Sequence, residues 1–209
     1  ATVAISGTVS TTLNSVAISS SGDGKEFAAA VNASGAGVTA TANATSNAAT
    51  DMSVAANDGT GAEGTITING VETSSISLDS TPDASRAAVV AAINAISGAT
   101  GVTATNSGSN TQGVALTAAD GRNIVVGALN QTAGGSGDGF VAATTGVTAG
   151  TFRSTVELVS DESIEVGVSV SGTDLTASST ISANPTGTAV SNLDISGVSG
   201  AEDAIRSID

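Results

Sequence analysis

Hydrophobic and polar positions recur in the same order in two parts of the chain. In the clearer part, Thr65-Ile66-Thr67-Ile68 and Val71-Glu72-Thr73 alternate around Asn69-Gly70. A period of two predicts strands with one buried face, and Asn-Gly predicts a type I′ turn, whose two central residues both need φ > 0. Ile66, Ile68, Val71 and Thr73 are expected to share one face. Ile76 and Leu78 have the opposite parity, so the second strand must bulge or break near Ser74-Ser75. Ser80-Thr81-Pro82-Asp83 then marks a helix start, with a hydroxyl cap, Pro at the first helical position and a carboxylate at the positive end. Val89, Ile93 and Ile96, with Val90 beside them, form its apolar stripe. Ala87, Ala88, Ala91, Ala92 and Ala95 permit close packing, and Ser97-Gly98 is expected to end the helix.

The other part carries a related pattern. Lys25-Glu26-Phe27-Ala28-Ala29-Ala30-Val31-Asn32-Ala33 leads into Gly37-Val38-Thr39-Ala40-Thr41. Arg86-Ala87-Ala88-Val89-Val90-Ala91-Ala92-Ile93-Asn94-Ala95 leads likewise into Gly101-Val102-Thr103-Ala104-Thr105. The spacing drifts only in the connection between helix and strand, where insertions are tolerated. One supersecondary unit is therefore expected twice, the first copy without an Asn-Gly hairpin ahead of its helix. Val114–Thr117 and Ile124–Val126 read as strands flanking a turn at Asp120-Gly121. Thr155–Val159 and Ser163–Val170 read as a further hairpin. Residues 134–139 are a loop by composition, and 177–191, with Asn184-Pro185, a loop or edge excursion. At the end, Ser199-Gly200-Ala201-Glu202 is a capping box, and Val198, Ala201, Ile205 and Ile208 form the stripe of a long helix.

The expected fold class is α+β and predominantly β. It consists of antiparallel hairpins with two short helices in repeated hairpin–helix–strand units, followed by the C-terminal start of a long helix. The expected divisions are a divergent first unit over 1–57, a second unit over 58–149 with a further hairpin, a returning segment over 150–192 packing with the first unit, and a linker and helix start over 193–209. The opening ATVAISGTVS has neither an initiator Met nor a signal-peptide pattern, and both ends are expected to be cuts in a longer chain.

Composition narrows the chemistry. The chain has 209 residues, with 5 Lys+Arg against 19 Asp+Glu, a net charge of −14, and no Cys, His, Trp or Tyr. Missing His and Cys remove the Ser-His-Asp triad, the thiol nucleophile and ordinary zinc sites. So few basic residues leave no electrostatic footprint for nucleic acid or an anionic membrane. A hydrophobic fraction of 40% is too apolar for a disordered acidic tail. Val, Ile and Leu supply its larger side chains, and the β-branched ones suit pleated sheets. A secreted surface module fits better than a cytoplasmic enzyme.

The string GTITINGVE, an Ala-rich helix ending in Ala-Ile-Asn-Ala-Ile, and TGVTAT together resemble the recurring I-N motif of bacterial flagellins. Leu116–Ile124 resembles the strand and turn that follow that motif. Asn192-Leu193-Asp194-Ile195-Ser196 with Ala201–Asp209 is similar to the re-entry into the flagellin C-terminal core helix. The first copy departs, with Val31-Asn32 in place of Ile-Asn. The resemblance implies the exposed central region of a filament subunit, extracellular, exported unfolded, with other flagellin subunits as partners. It implies a structural role in motility, without enzyme activity, cofactor, nucleic-acid or membrane partner. The isolated chain is expected to be monomeric. The alternative is a β-rich adhesin or surface-layer module that binds carbohydrate or protein.

Each candidate chemical group has a plain structural role as its rival. Asp23-Gly24, Asp58-Gly59, Asp120-Gly121 and Asp138-Gly139 lack calcium-loop spacing and are assigned to turns. Asp161-Glu162 could pair as glycosidase carboxylates, but aromatic sugar platforms are missing, and a hairpin turn is preferred. Lys25 has Gly rather than Ser three positions before it, so it cannot complete a Ser-Lys motif. Asn32-Ala33-Ser34, Asn43-Ala44-Thr45 and Asn130-Gln131-Thr132 match a glycosylation pattern at the frequency that chance gives in such a composition. Catalytic, cofactor-binding and metal-ligating residues are accordingly expected to be none.

Overall fold

Thr2–Leu13 (β1) buries Val3, Ile5, Val9, Thr11 and Leu13 in turn, and folds back onto Val16–Ser20 (β2). The turn between them is Asn14-Ser15, with φ of 48° and 66°. A turn with both central residues at positive φ therefore precedes the first helix after all, built without glycine. This computed structural model describes residues 1–52, 61–134, 139–167, 170–175 and 180–182. It is predominantly β, with antiparallel sheets and a few short helices.

Gly24–Ser34 (α1) follows, capped by the Asp23 carboxylate, which accepts from the Lys25 N–H. Phe27, Ala28 and Val31 are its buried face, and Thr39–Ala42 (β3) comes next. The chain then forms Thr45–Ser46 (β4), Glu63–Ile68 (β5), Val71–Glu72 (β6) and Ile76–Ser77 (β7). β5 and β6 meet at Asn69-Gly70, with φ of 48° and 81°, and Ile68 pairs with Val71. The Thr73 N–H still donates to the Ile66 carbonyl at 2.9 Å, pairing lapses over 74–75 and it resumes as Ile76 meets Gly64, so the parity change is absorbed where the alternation required it. Pro82–Ala95 (α2) starts under the Thr81 hydroxyl with Pro in its first turn, and buries Val89 and Ile93.

The end of α2 differs from expectation. Ile96 caps it, Ser97–Thr100 (α3) adds one more turn that contains Gly98, and the left-handed residue is Gly101 at φ 71°. Beyond lie Thr103–Asn106 (β8), Val114–Ala118 (β9), Ile124–Ala133 (β10), Ala142–Thr145 (α4) and Gly150–Phe152 (β11). The last described strands are Thr155–Val159 (β12), Ile164–Glu165 (β13), Ser171–Thr173 (β14) and Thr180–Ile181 (β15).

Two expected hairpins are corrected. β9 pairs with β8 and β4, whereas β10 pairs with β5 and β11. The Asp120-Gly121 turn is thus a corner between two sheets. Likewise β12 pairs with β1 and β3, while β13 pairs with β15 and Val166 bridges to Leu13. Alternation identified the strands but carries no information about which neighbour each one takes. β15 also falls inside the stretch 177–191. The expected helix over 199–209 lies outside the described residues.

Strand pairing and packing divide the described residues into two sets. One core gathers Val3, Leu13, Phe27, Val31, Ala40, Val156 and Leu158; the other gathers Ile66, Ile68, Val89, Ile93, Leu116, Ile124 and Val126. The second set sits inside the first. β3 and β12 pair at Ala42 and Val156 as β8 and β9 pair at Asn106 and Val114, so residues 43–155 occupy the place of the loop 107–113. Entry and exit of the insert touch, since the Asn43 N–H donates to the Thr155 carbonyl at 2.8 Å. The chain thus crosses into the second set after Ala42, earlier than the division at 57/58. Gly150–Phe152 still pairs with β10, so the return falls after 149.

Candidate functional site

A cleft of about 670 Å³ lies where the two sets meet, lined by Ser21, Asp23, Lys25, Glu26, Asn69, Gly70, Arg122, Asn123 and Val125. Local structure puts each of them there. Asp23 and Lys25 begin α1, Asn69-Gly70 is the β5–β6 turn, and Arg122-Asn123 follows the corner at Gly121. Gly121 is required at that corner: its φ is 74°, and a Cβ would strike Ala42 and the Asn43 carbonyl.

Asp120 is the electrostatic centre. It accepts from Arg122 Nε at 3.0 Å and Nη2 at 2.7 Å, and from Lys25 Nζ at 2.7 Å. The Arg122 hydrogen bonds, helped by Lys25 and opposed by burial, hold its carboxyl well below the usual carboxylate range. Asp120 in turn raises the Arg122 guanidinium. With the folded pKa lowered, the stabilisation is complete above the unfolded value, about 3.9, and disappears only as pH falls toward the folded one. Arg122 Nη1 also donates to the Thr100 carbonyl at 3.0 Å. Asp23 joins the sets a second time, because its carboxylate accepts from the Asn123 N–H at 2.7 Å. Asn123 Nδ2 donates to the Gly22 carbonyl at 3.0 Å.

Chemically, the cleft is a junction in which Lys25 and Arg122 both pair with Asp120, while Asp23 caps α1 and holds the Asn123 N–H. The Ser21 hydroxyl donates to the Glu26 carboxylate at the rim of the cleft. Among the described residues, no group of three or more acidic side chains could hold a metal ion, and no helix is long and apolar enough to cross a membrane.

The candidate residues of the sequence take structural positions. Asp23-Gly24 starts a helix, which corrects its assignment to a turn, while Asp120-Gly121 does form one. Asp161-Glu162 is exposed between β12 and β13, and Asn130 is exposed on β10. Asn43 bonds the Thr155 hydroxyl at 2.8 Å. Asp58-Gly59 and Asp138 lie outside the described residues.

Sequence reading missed a set of asparagine tethers common to both halves. Asn14 exchanges bonds with the Glu165 backbone through its own N–H and its Oδ1, both at 2.8 Å. Asn69 does the same with Val125, at 2.9 and 2.8 Å. Each also donates through Nδ2 to the end of the helical segment that follows it, Asn14 to Ala36 just past α1 and Asn69 to Thr100 at the end of α3. The available signal was positional: each Asn opens the turn of the hairpin ahead of a helix.

No protein-family model matches the chain, and no curated protein matches it.

Proposed function

We propose that this chain is the surface-exposed outer part of a flagellin, a structural subunit of the bacterial flagellar filament. In this reading the two hairpin–helix–strand sets are copies of one unit, and residues 199–209 begin the long helix that joins the filament core. Its partners are other flagellin subunits, its location is extracellular, and it has no active site.

One observation carries the reading. The residues behind the flagellin resemblance each serve to hold a shape. Asn69-Gly70 makes a turn, Asn94 bonds the following strand, and Gly101 closes α3 in the left-handed region. A motif spent on geometry suits a protein whose product is its surface.

Antibodies raised against the purified chain provide the test on whole cells of the source bacterium. Gold label along the length of isolated flagellar filaments is the expected result. Label spread over the cell body, with bare filaments, would overturn the proposal in favour of an adhesin or surface-layer module.

A further inference from the structure

We propose that Asn32 and Asn94 are edge guards: each side-chain amide fills the place of a neighbouring strand on an outer strand, and so keeps two copies of this chain from pairing. β3 is the outer strand of its sheet and β8 of another. Ala40 and Ala104 stand opposite Leu158 and Leu116 with their backbone groups turned outward. Asn32 Nδ2 donates to the Ala40 carbonyl at 2.8 Å, and the Ala40 N–H donates to Asn32 Oδ1 at 2.8 Å. Asn94 repeats both bonds on Ala104, at 2.9 and 2.8 Å. A primary amide presents an N–H donor and a carbonyl acceptor side by side, as a strand residue does, so it pairs with both the N–H and the carbonyl of the edge alanine. Just ahead of β8 the Val102 amide is taken too, since its N–H donates to the Thr100 hydroxyl at 3.2 Å.

Both edges need such cover. Open edges recruit other strands, and proteins blunt them with Lys, Pro, bulges or inward charges. Gly37–Thr41 and Gly101–Thr105 carry the same five residues, Gly-Val-Thr-Ala-Thr, with none of those devices. Thr-Ala-Thr is β-prone, uncharged and symmetric about its alanine. Ala40 could therefore face Ala40 of a second copy in a self-complementary antiparallel pair. The partner excluded is a second copy of this chain. Net charge −14 opposes approach, but salt near 0.15 M screens it beyond about 8 Å. Asn32 and Asn94 are themselves exposed, so losing them uncovers the edge to solvent and to other chains.

The test compares the whole chain with the Asn32→Ala/Asn94→Ala double variant by sedimentation at physiological salt, with circular dichroism to report folding. The expected result is a monomeric parent and a folded variant that forms dimers or larger species. Adding Ala40→Pro and Ala104→Pro to the double variant deletes the outward N–H groups and should restore the monomer. A folded double variant that stays monomeric, or association that the prolines leave unchanged, would overturn the proposal. Should the double variant not fold, amide exchange on the unmutated chain decides: Ala40 and Ala104 should exchange as slowly as paired amides of β9. Exchange at the rate of exposed loops would refute the guards.

Discussion

At the residue scale, Arg86 is the clearest case of a side chain whose role depends on the fold. It is buried, with its side chain 3% exposed, near the start of α2. Nε donates to Asn106 Oδ1 at 2.9 Å, Nη1 to Asn110 Oδ1 at 2.7 Å, and Nη2 to Asp83 at 3.1 Å. The guanidinium thus ties the helix to the end of β8 and to the loop 107–113. Its acid partner is largely exposed, so Arg86→Ala strands no buried carboxylate; it costs three charged hydrogen bonds, each worth about 1.5–3 kcal/mol. Urea unfolding should show that loss, and Arg86→Lys should recover less than half of it, because an ammonium cannot reproduce the planar fork. In the sequence Arg86 is only the first residue of the repeated string Arg86–Ala95, since nothing local marks Asn106 and Asn110 as its partners. The two turns make a parallel contrast. Asn69-Gly70 was legible because that pair tolerates φ > 0 twice. Asn14-Ser15 was not, because serine rarely goes there, and the turn depends on the bonds that Asn14 makes to Ala36 and Glu165.

At the scale of elements, period and caps were readable where the determinants are local. Thr81-Pro82-Asp83 announced α2, and Val89 and Ile93 announced its buried face. The end of α2 was not readable, because two glycines stand near it and only tertiary packing distinguishes them. Gly98 lies within α3, and a Cβ there meets nothing within 4 Å. Gly101 is left-handed, and a Cβ there would run into the Arg122 guanidinium. Gly98→Ala should therefore stabilise by about 0.4–1 kcal/mol through the unfolded chain. Gly101→Ala should destabilise by at least about 1–2 kcal/mol from the backbone alone, and further by displacing Arg122 from Thr100 and Asp120. Thermal melts of the two variants should move in opposite directions. Equal losses would mean that the helix does end at Ser97-Gly98.

At the scale of the whole molecule, the nesting was invisible to pattern reading, because strand pairing between residues more than a hundred positions apart leaves no local signature. β12 looked like the first half of a hairpin, yet its partners are β1 and β3, and the second set fills the gap between β3 and β12. The candidate cleft was hidden for the same reason: Asp23, Lys25, Asp120 and Asn123 converge only because of that nesting. The arrangement has a direct consequence for folding. The first core is assembled from residues on either side of the insert, and the bonds crossing to the insert are polar, chiefly Lys25 with Asp120 and Asp23 with Asn123. The half-exposed Lys25–Asp120 pair is worth about 0–1 kcal/mol and the charged Asp23–Asn123 hydrogen bond about 1.5–3 kcal/mol, less than the combined burial of Phe27, Val31 and Leu158. A shortened chain in which residues 43–154 are replaced by the loop sequence 107–112, Thr155 keeping its place opposite Ala4, should therefore fold. The loop spans Asn106 and Val114, a pair equivalent to Ala42 and Val156, so the β3–β12 register needs no adjustment. Circular dichroism should show a β-rich spectrum and denaturant a single cooperative transition, at a lower midpoint than the whole chain. A product without a cooperative transition would mean that the insert is an obligatory part of the first core, and that the two sets fold only together.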